Sequence, residues 1–313
     1  MPELPEVETI KRDIKKVLLG KKILGAEILD KKPVIGQEKE FMNLKAVIKD
    51  ACRFGKILVL DLDKNRSLMI HLKMTGQLIF LGQKRQRAVV LNSFQDLIKS
   101  KKYNVKSDKS NKLMVAGGHY EVGSLQVPNK FTRLIFNLNQ GKLYFNDLRK
   151  FGWIRLVQTD KIKDLKEIKN LGIEPLHVNF TVKVFKEILE KRPNKPIKQL
   201  LMEQNLISGI GNIYASEALF WAKIDPRRKA GDLKENEIKN LHKSIIKVLK
   251  EGIKLKGSSE NTYVDLFGEK GVYLKREVVY RREGQNCPRH CGGKVERIKQ
   301  GGRSTFFCPK CQK

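Results

Sequence analysis

The residues able to do chemistry in this 313-residue chain gather at its two ends. Met1 precedes Pro2, and an initiator methionine is commonly removed before a small residue. Removal exposes a secondary amine. An α-amine titrates near ~8, so a useful fraction is neutral and nucleophilic at neutral pH. A secondary amine that attacks a carbonyl-level carbon gives an iminium ion with no N–H proton to lose. That fixed positive charge acidifies the neighbouring C–H bond for elimination. Glu3 and Glu6 stand beside the amine. One carboxyl kept protonated would serve as general acid while the other stays ionised. At the far end, Cys287, Cys291, Cys308 and Cys311 form two close pairs, the spacing of a closed tetrahedral zinc site with a structural role. His290 follows Cys287 at the usual two-residue spacing and is a rival second ligand. Cys52, alone before the apolar run Ile57–Leu60, reads as a small buried hydrophobe.

These ends need a scaffold. Val7, Ile10, Ile14, Val17 and Leu18 recur at helical spacing, which predicts a helix from Pro5 to about Leu19. Pro5 suits its first position, and Glu6 and Glu8 suit its positive end. Short β-prone runs follow at Ala46–Ile48, Lys56–Leu62, Ser67–His71, Gln77–Leu81, Arg133–Leu138 and Lys142–Phe145. The last two are joined by the turn Asn139-Gln140-Gly141. The expectation is an α+β multidomain protein that opens with an antiparallel β-sandwich and a leading helix. The strand pattern breaks off between Gly82 and Lys130, a polar insertion with the basic run Lys99-Ser100-Lys101-Lys102. Periodic segments at Ile197–Ile207 and Ile213–Trp221 flank Gly209-Ile210-Gly211-Asn212. The glycines admit close backbone approach, and Asn212 could cap the second helix or donate to a phosphate.

Lys and Arg number 64 against 34 Asp and Glu, for a net charge of +30. Such a chain calls for a polyanion, with nucleic acid first and an anionic membrane surface second. No apolar run is long enough to span a bilayer. The acidic start lacks the form of a secretory signal, so a cytoplasmic location is expected, with one structural Zn2+ and no disulfides.

Six ordered motifs resemble bacterial formamidopyrimidine-DNA glycosylases: PELPEVETI at 2–10, HLKMTG at 71–76, NDLRKFG at 146–152, LGIEPL at 171–176, IKQLLMEQNLISGIGNIYASEALF at 197–220 and GRSTFFCPKCQ at 302–312. The resemblance implies a sandwich domain over 1–158 with an insertion at 82–130, and a linker over 159–176. A helix–two-turns–helix domain over 177–284 with a lid loop at 257–271 would follow, then a β-hairpin zinc finger over 285–313. It implies a bifunctional glycosylase and abasic-site lyase of base excision repair. The substrate would be double-stranded DNA carrying oxidised purines or abasic sites, and the enzyme would act as a monomer. Pro2 would be the nucleophile, Glu3 the acid at the sugar ring oxygen and Glu6 its support. Lys56 would serve β-elimination and Arg303 δ-elimination. Met74, Arg149 and Phe151 would fill the space left by an extruded base. His71, Arg133, Lys150, Lys198, Asn212 and Tyr280 would contact DNA, and Ser258, Ser259, Thr262 and Tyr263 would belong to the lid. The continuation after Cys291 favours it over His290 as zinc ligand.

Two other readings compete. An endonuclease VIII-type enzyme for oxidised pyrimidines shares the proline, acid, hairpin and finger. A non-catalytic damage-binding zinc protein would need no Pro2, Glu3 and Lys56 together.

Overall fold

The computed structural model describes residues 1–83, 111–117, 127–258, 273 and 278–313, with backbone alone at 83 and 111–117. The chain divides into two compact units. The first holds Met1–Pro2, Glu6–Asp164 and the stretch that begins at Lys256. The second holds Glu3–Pro5, Leu165–Leu255 and the stretch that begins at Tyr273.

The helix α1 runs from Leu4 to Leu18 and belongs to the first unit from Glu6 onward, so Pro5 takes its second position rather than the expected first. The strands are β1 (Lys22–Ile28), β2 (Val34–Ile35), β3 (Ala46–Phe54), β4 (Ile57–Leu62), β5 (Arg66–His71), β6 (Gly76–Gln83), β7 (Asn111–Gly117), β8 (Thr132–Leu138), β9 (Gly141–Asp147) and β10 (Trp153–Gln158); a short helix, α2, spans Glu38–Met42. Their order is β2-β10-β5-β4-β3-β1-β8-β9-β6-β7. Only two residue pairs join β1 to β3, Lys22 with Val47 and Ile23 with Ala46. The ladder therefore breaks there into two five-stranded layers. Every pairing is antiparallel except β2 with β10.

Alternation along the strands fills the space between the layers. Leu58, Leu60 and Leu62 of β4 and Leu68 and Ile70 of β5 meet Leu78, Phe80, Leu134, Phe136, Leu143 and Phe145 from the other layer, with Val7, Ile10, Ile14 and Leu18 of α1 in the same cluster. Burying each such aliphatic side chain contributes about 1.5–3 kcal/mol. The strand pattern does not end at Gly82 as expected, because β7 lies inside the insertion and pairs along β6 from Gln77–Gly117 to Gln83–Asn111. The run Lys99–Lys102 lies outside the described residues.

The second unit holds α3 (Lys166–Lys169), α4 (Val182–Glu190), α5 (Ile197–Leu201), α6 (Asn212–Ala222), α7 (Glu235–Lys254) and the hairpin β11 (Glu296–Gln300) with β12 (Arg303–Phe307). Helix α6 is buried on all sides from Ile213 to Phe220, as a central helix must be. Leu241, Ile245, Val248 and Leu249 of α7 share one core with Phe220, Val295, Phe306 and Cys308, so the hairpin is built onto the helical core. The helix expected over Ile197–Ile207 stops at Leu201. Gln204 explains the early stop. Its amide donates to the carbonyls of Met202 (2.9 Å) and Ile210 (2.8 Å) and accepts from the Gly209 N–H (3.0 Å), which closes a turn in place of helical bonds. Among the described residues no helix is long and apolar enough to cross a membrane.

Candidate active site and nucleic-acid interface

In the second unit Glu3 lies at the start of α6. Its Oε2 accepts the N–H of Gly211 (2.7 Å) and of Tyr214 (3.5 Å), and its Oε1 accepts that of Ile213 (2.9 Å). A helix start has unpaired N–H groups and partial positive charge, so a buried carboxylate is well placed there. Of the two roles open to Asn212, capping the helix or donating to a phosphate, the first is therefore taken by Glu3. The contact needs Gly211, where a Cβ would lie 2.3 Å from the Glu3 carboxyl carbon. Leu4 adds a backbone bond to the Gly209 carbonyl (3.0 Å).

The Asn212 side chain turns to the hairpin instead, donating to the Ser304 carbonyl (2.9 Å) and, at 3.4 Å, to the Tyr280 hydroxyl. Lys198 is fully buried beside it and donates to Asn212 Oδ1 (2.6 Å), Thr305 Oγ1 (2.7 Å) and the Ser304 carbonyl (3.2 Å). Burial pulls its pKa down to about 7, with Glu3 opposing and Arg303 adding to the fall. Lys198 therefore ties α5, α6 and β12 together. Arg303 itself is exposed at the start of β12. Lys198 and Arg303 line a cavity of about 140 Å³ with Lys195, Gln199, Gln300 and Gly301.

In the first unit Lys56 is buried in the turn between β3 and β4. Glu6 Oε1 accepts the Ser258 N–H (2.7 Å). Ser259, Thr262 and Tyr263 lie outside the described residues. His71 Nδ1 accepts the Lys73 N–H (2.9 Å), which leaves its proton on Nε2. Burial, with help from Lys73 and Lys56, drives its pKa down to about 3, so the ring is neutral.

Met74, Arg149 and Phe151 come together on two adjacent loops. The Arg149 guanidinium lies over the Phe151 ring (4.9 Å) and donates to Met74 Sδ (3.3 Å). Phe151 is 52% exposed and Met74 40%, so this apolar tip faces outward. Asp147, fully buried, braces it. Its carboxylate accepts from Thr75 Oγ1 and from the N–H groups of Arg149 (3.2 Å) and Gly152 (2.7 Å). Arg133 is also buried and donates to the Asp147 carbonyl (2.9 Å). Lys150 pairs with Asp30 (2.8 Å).

The four finger cysteines have sulfurs within 4.8 Å of one another. Cys287 and Cys311 are 3.7 Å apart, and Cys291 and Cys308 are 3.6 Å apart. Tetrahedral zinc with bonds of ~2.3 Å needs sulfurs about 3.8 Å apart, so the set fits the ion. His290 is outside the cluster.

Three family profiles match. The formamidopyrimidine-DNA glycosylase N-terminal domain covers residues 1–154, the formamidopyrimidine-DNA glycosylase H2TH domain 171–264, and the zinc finger found in FPG and IleRS 284–313. The formamidopyrimidine-DNA glycosylase of Pelotomaculum thermopropionicum is 39% identical, over 100% of this chain and 99% of its own. That of Lactococcus lactis subsp. lactis is 35% identical with the same coverage. The chain belongs to the formamidopyrimidine-DNA glycosylase family. A solved structure of Lactococcus lactis Fpg with abasic-site DNA matches with TM-score 0.80, 32% identity and 99% coverage of both chains. Another, of the wild-type enzyme with N7-benzyl-Fapy-dG DNA, matches with TM-score 0.79, 32% identity and full coverage of both.

Membership in the formamidopyrimidine-DNA glycosylase family makes the chain a DNA glycosylase with abasic-site lyase activity and one structural zinc. Sequence reasoning missed three polar side chains, two buried carboxylates and one half-buried amide. Asp147 carries the outward loop, Gln204 shapes the turn before α6, and Glu217 accepts the N–H groups of Val278 (2.9 Å), Val279 (3.1 Å) and Tyr280 (3.0 Å). Burial raises the Glu217 pKa against those three bonds. A carboxylate amid the apolar run Ala215–Phe220 was the available signal, since a buried acid needs donors.

Proposed function

We propose that this chain excises oxidised purines, 8-oxoguanine and formamidopyrimidines, from double-stranded DNA and then cuts the strand, working as a monomer on chromosomal DNA in the cytoplasm. The Lactococcus complexes with abasic-site and Fapy-dG DNA support this substrate class. The observation that carries the mechanism is Glu3, fixed by three backbone N–H groups one peptide bond from Pro2.

With Met1 removed, the Pro2 nitrogen attacks C1′ of the damaged nucleotide. The N–C1′ bond forms and the sugar ring opens, with Glu3 supplying a proton to the ring oxygen. The base departs with its bonding electrons and takes up the proton that the Pro2 nitrogen sheds, leaving the iminium ion. Loss of a C2′ proton then expels the 3′-phosphate. A second elimination expels the 5′-phosphate. Lys56 and Arg303 are the cations assigned to these departing phosphates, where a lysine acts as a point charge and an arginine as a bidentate donor. Glu6 holds Ser258 at the start of the lid. Met74, Arg149 and Phe151 enter the space that the extruded base leaves, by stacking and hydrogen bonding. His71, Arg133, Lys150, Lys198, Asn212 and Tyr280 shape the DNA-facing surface. Lys198 and Arg133 do so from buried positions. Zinc on Cys287, Cys291, Cys308 and Cys311 stabilises the hairpin that bears Arg303.

Excision from duplexes carrying 8-oxoguanine or thymine glycol tests the substrate class. Faster release of 8-oxoguanine is expected, and preference for thymine glycol would contradict it.

A further inference from the structure

Asp30 occupies the turn after β1, away from the proposed reacting groups in sequence, yet its carboxylate is spent on the outward loop. Oδ1 accepts the Lys32 N–H of its own turn (3.0 Å), which fixes the side chain. Oδ2 takes the Lys150 ammonium (2.8 Å) and lies 3.5 Å from Arg133 Nη1. The Lys150 hydrogen bond is the main reason the Asp30 carboxyl sits below the usual range. The backbone doubles the link, since the N–H groups of Leu29 (2.8 Å) and Asp30 (3.0 Å) both donate to the Arg133 carbonyl. Arg133 continues it to the Asp147 carbonyl (2.9 Å) and that of Lys130 (3.2 Å).

Lys150 has a φ of +57°, a region that residues with side chains seldom enter. It stands between Arg149 and Phe151, so its left-handed turn sets how those two side chains meet. An isolated exposed ion pair has little effect. Here one immobilised carboxylate serves two cations, and one of them, Arg133, is buried.

We propose that Asp30 is a positioning residue, which presets the Met74–Arg149–Phe151 wedge through Lys150 and Arg133. This rests on the reading that the wedge fills the space of an extruded base. Asp30 would then govern the duplex-specific insertion step without touching the reacting atoms.

Asp30→Asn tests it, because asparagine keeps the Lys32 acceptor and the shape but removes the charge. With full-length zinc-loaded protein, 2-aminopurine opposite an uncleavable abasic analogue reports wedge insertion. The D30N insertion rate should fall roughly fivefold, the effect of losing about one weak charged contact. Asp30→Glu should restore most of it. Cleavage of a single-stranded abasic oligonucleotide, which has no opposite base, should stay unchanged. Wild-type insertion by D30N, alongside a loss in Phe151→Ala, would overturn the role of Asp30. An equal loss on single strands would overturn it too, by showing general damage. If Phe151→Ala also inserts normally, the wedge reading itself fails and the proposal with it.

Discussion

Glu3 caps the helix that begins at Asn212, and this holds the carboxyl proposed as the acid against the positive end of that helix. Its partner Gly211 leaves no room for a methyl group. Gly211→Ala should displace the carboxyl and slow base release by about 100-fold, as misplacement by an ångström can. Single-turnover excision compared with folding by circular dichroism checks this, and unimpaired excision would count against the placement. His71 makes a pH statement. Its pKa of about 3 when folded lies below the ordinary 6.5, so the unfolded state binds the extra proton. Its contribution to stability is complete above pH 6.5 and is lost as pH falls towards 3. The imidazole resonances should therefore stay constant from about pH 5 to 8. A midpoint near 6.5 would show a solvated, titrating ring.

At the scale of elements, periodicity located α1, β4, β5, β8 and β9, because local spacing alone decides which face is buried. It missed β7, whose pairing with β6 is a long-range choice that the polar insertion conceals. It also overextended α5, because one side-chain amide, Gln204, outcompetes the helical bonds. The cysteine quartet was legible because thiolate spacing nearly determines a metal site. The braces at Asp30, Asp147 and Glu217 were not legible, since each holds partners distant in sequence. For the finger, Cys291→Ser should lose zinc and unfold the hairpin, with binding free energy passing directly into folding. His290→Ala should keep one zinc per chain. Metal content by atomic spectroscopy decides it, and zinc loss in H290A with retention in C291S would reverse the ligand assignment.

At the scale of the whole molecule, a net charge of +30 is matched to a phosphate backbone. Each phosphate neutralised releases counterions and adds about −0.9 to the slope of log affinity on log salt. Duplex affinity should thus fall steeply from low to physiological salt, and a flat titration would remove the phosphate-contact picture. The covalent step is the centre of the account. The most direct test reduces the reaction of mature protein and 8-oxoguanine duplex with borohydride and maps the adduct by mass spectrometry. The account predicts DNA joined to the peptide that begins at Pro2, and no adduct on protein that keeps Met1. An adduct on another residue, or normal strand cleavage by protein retaining Met1, would contradict it.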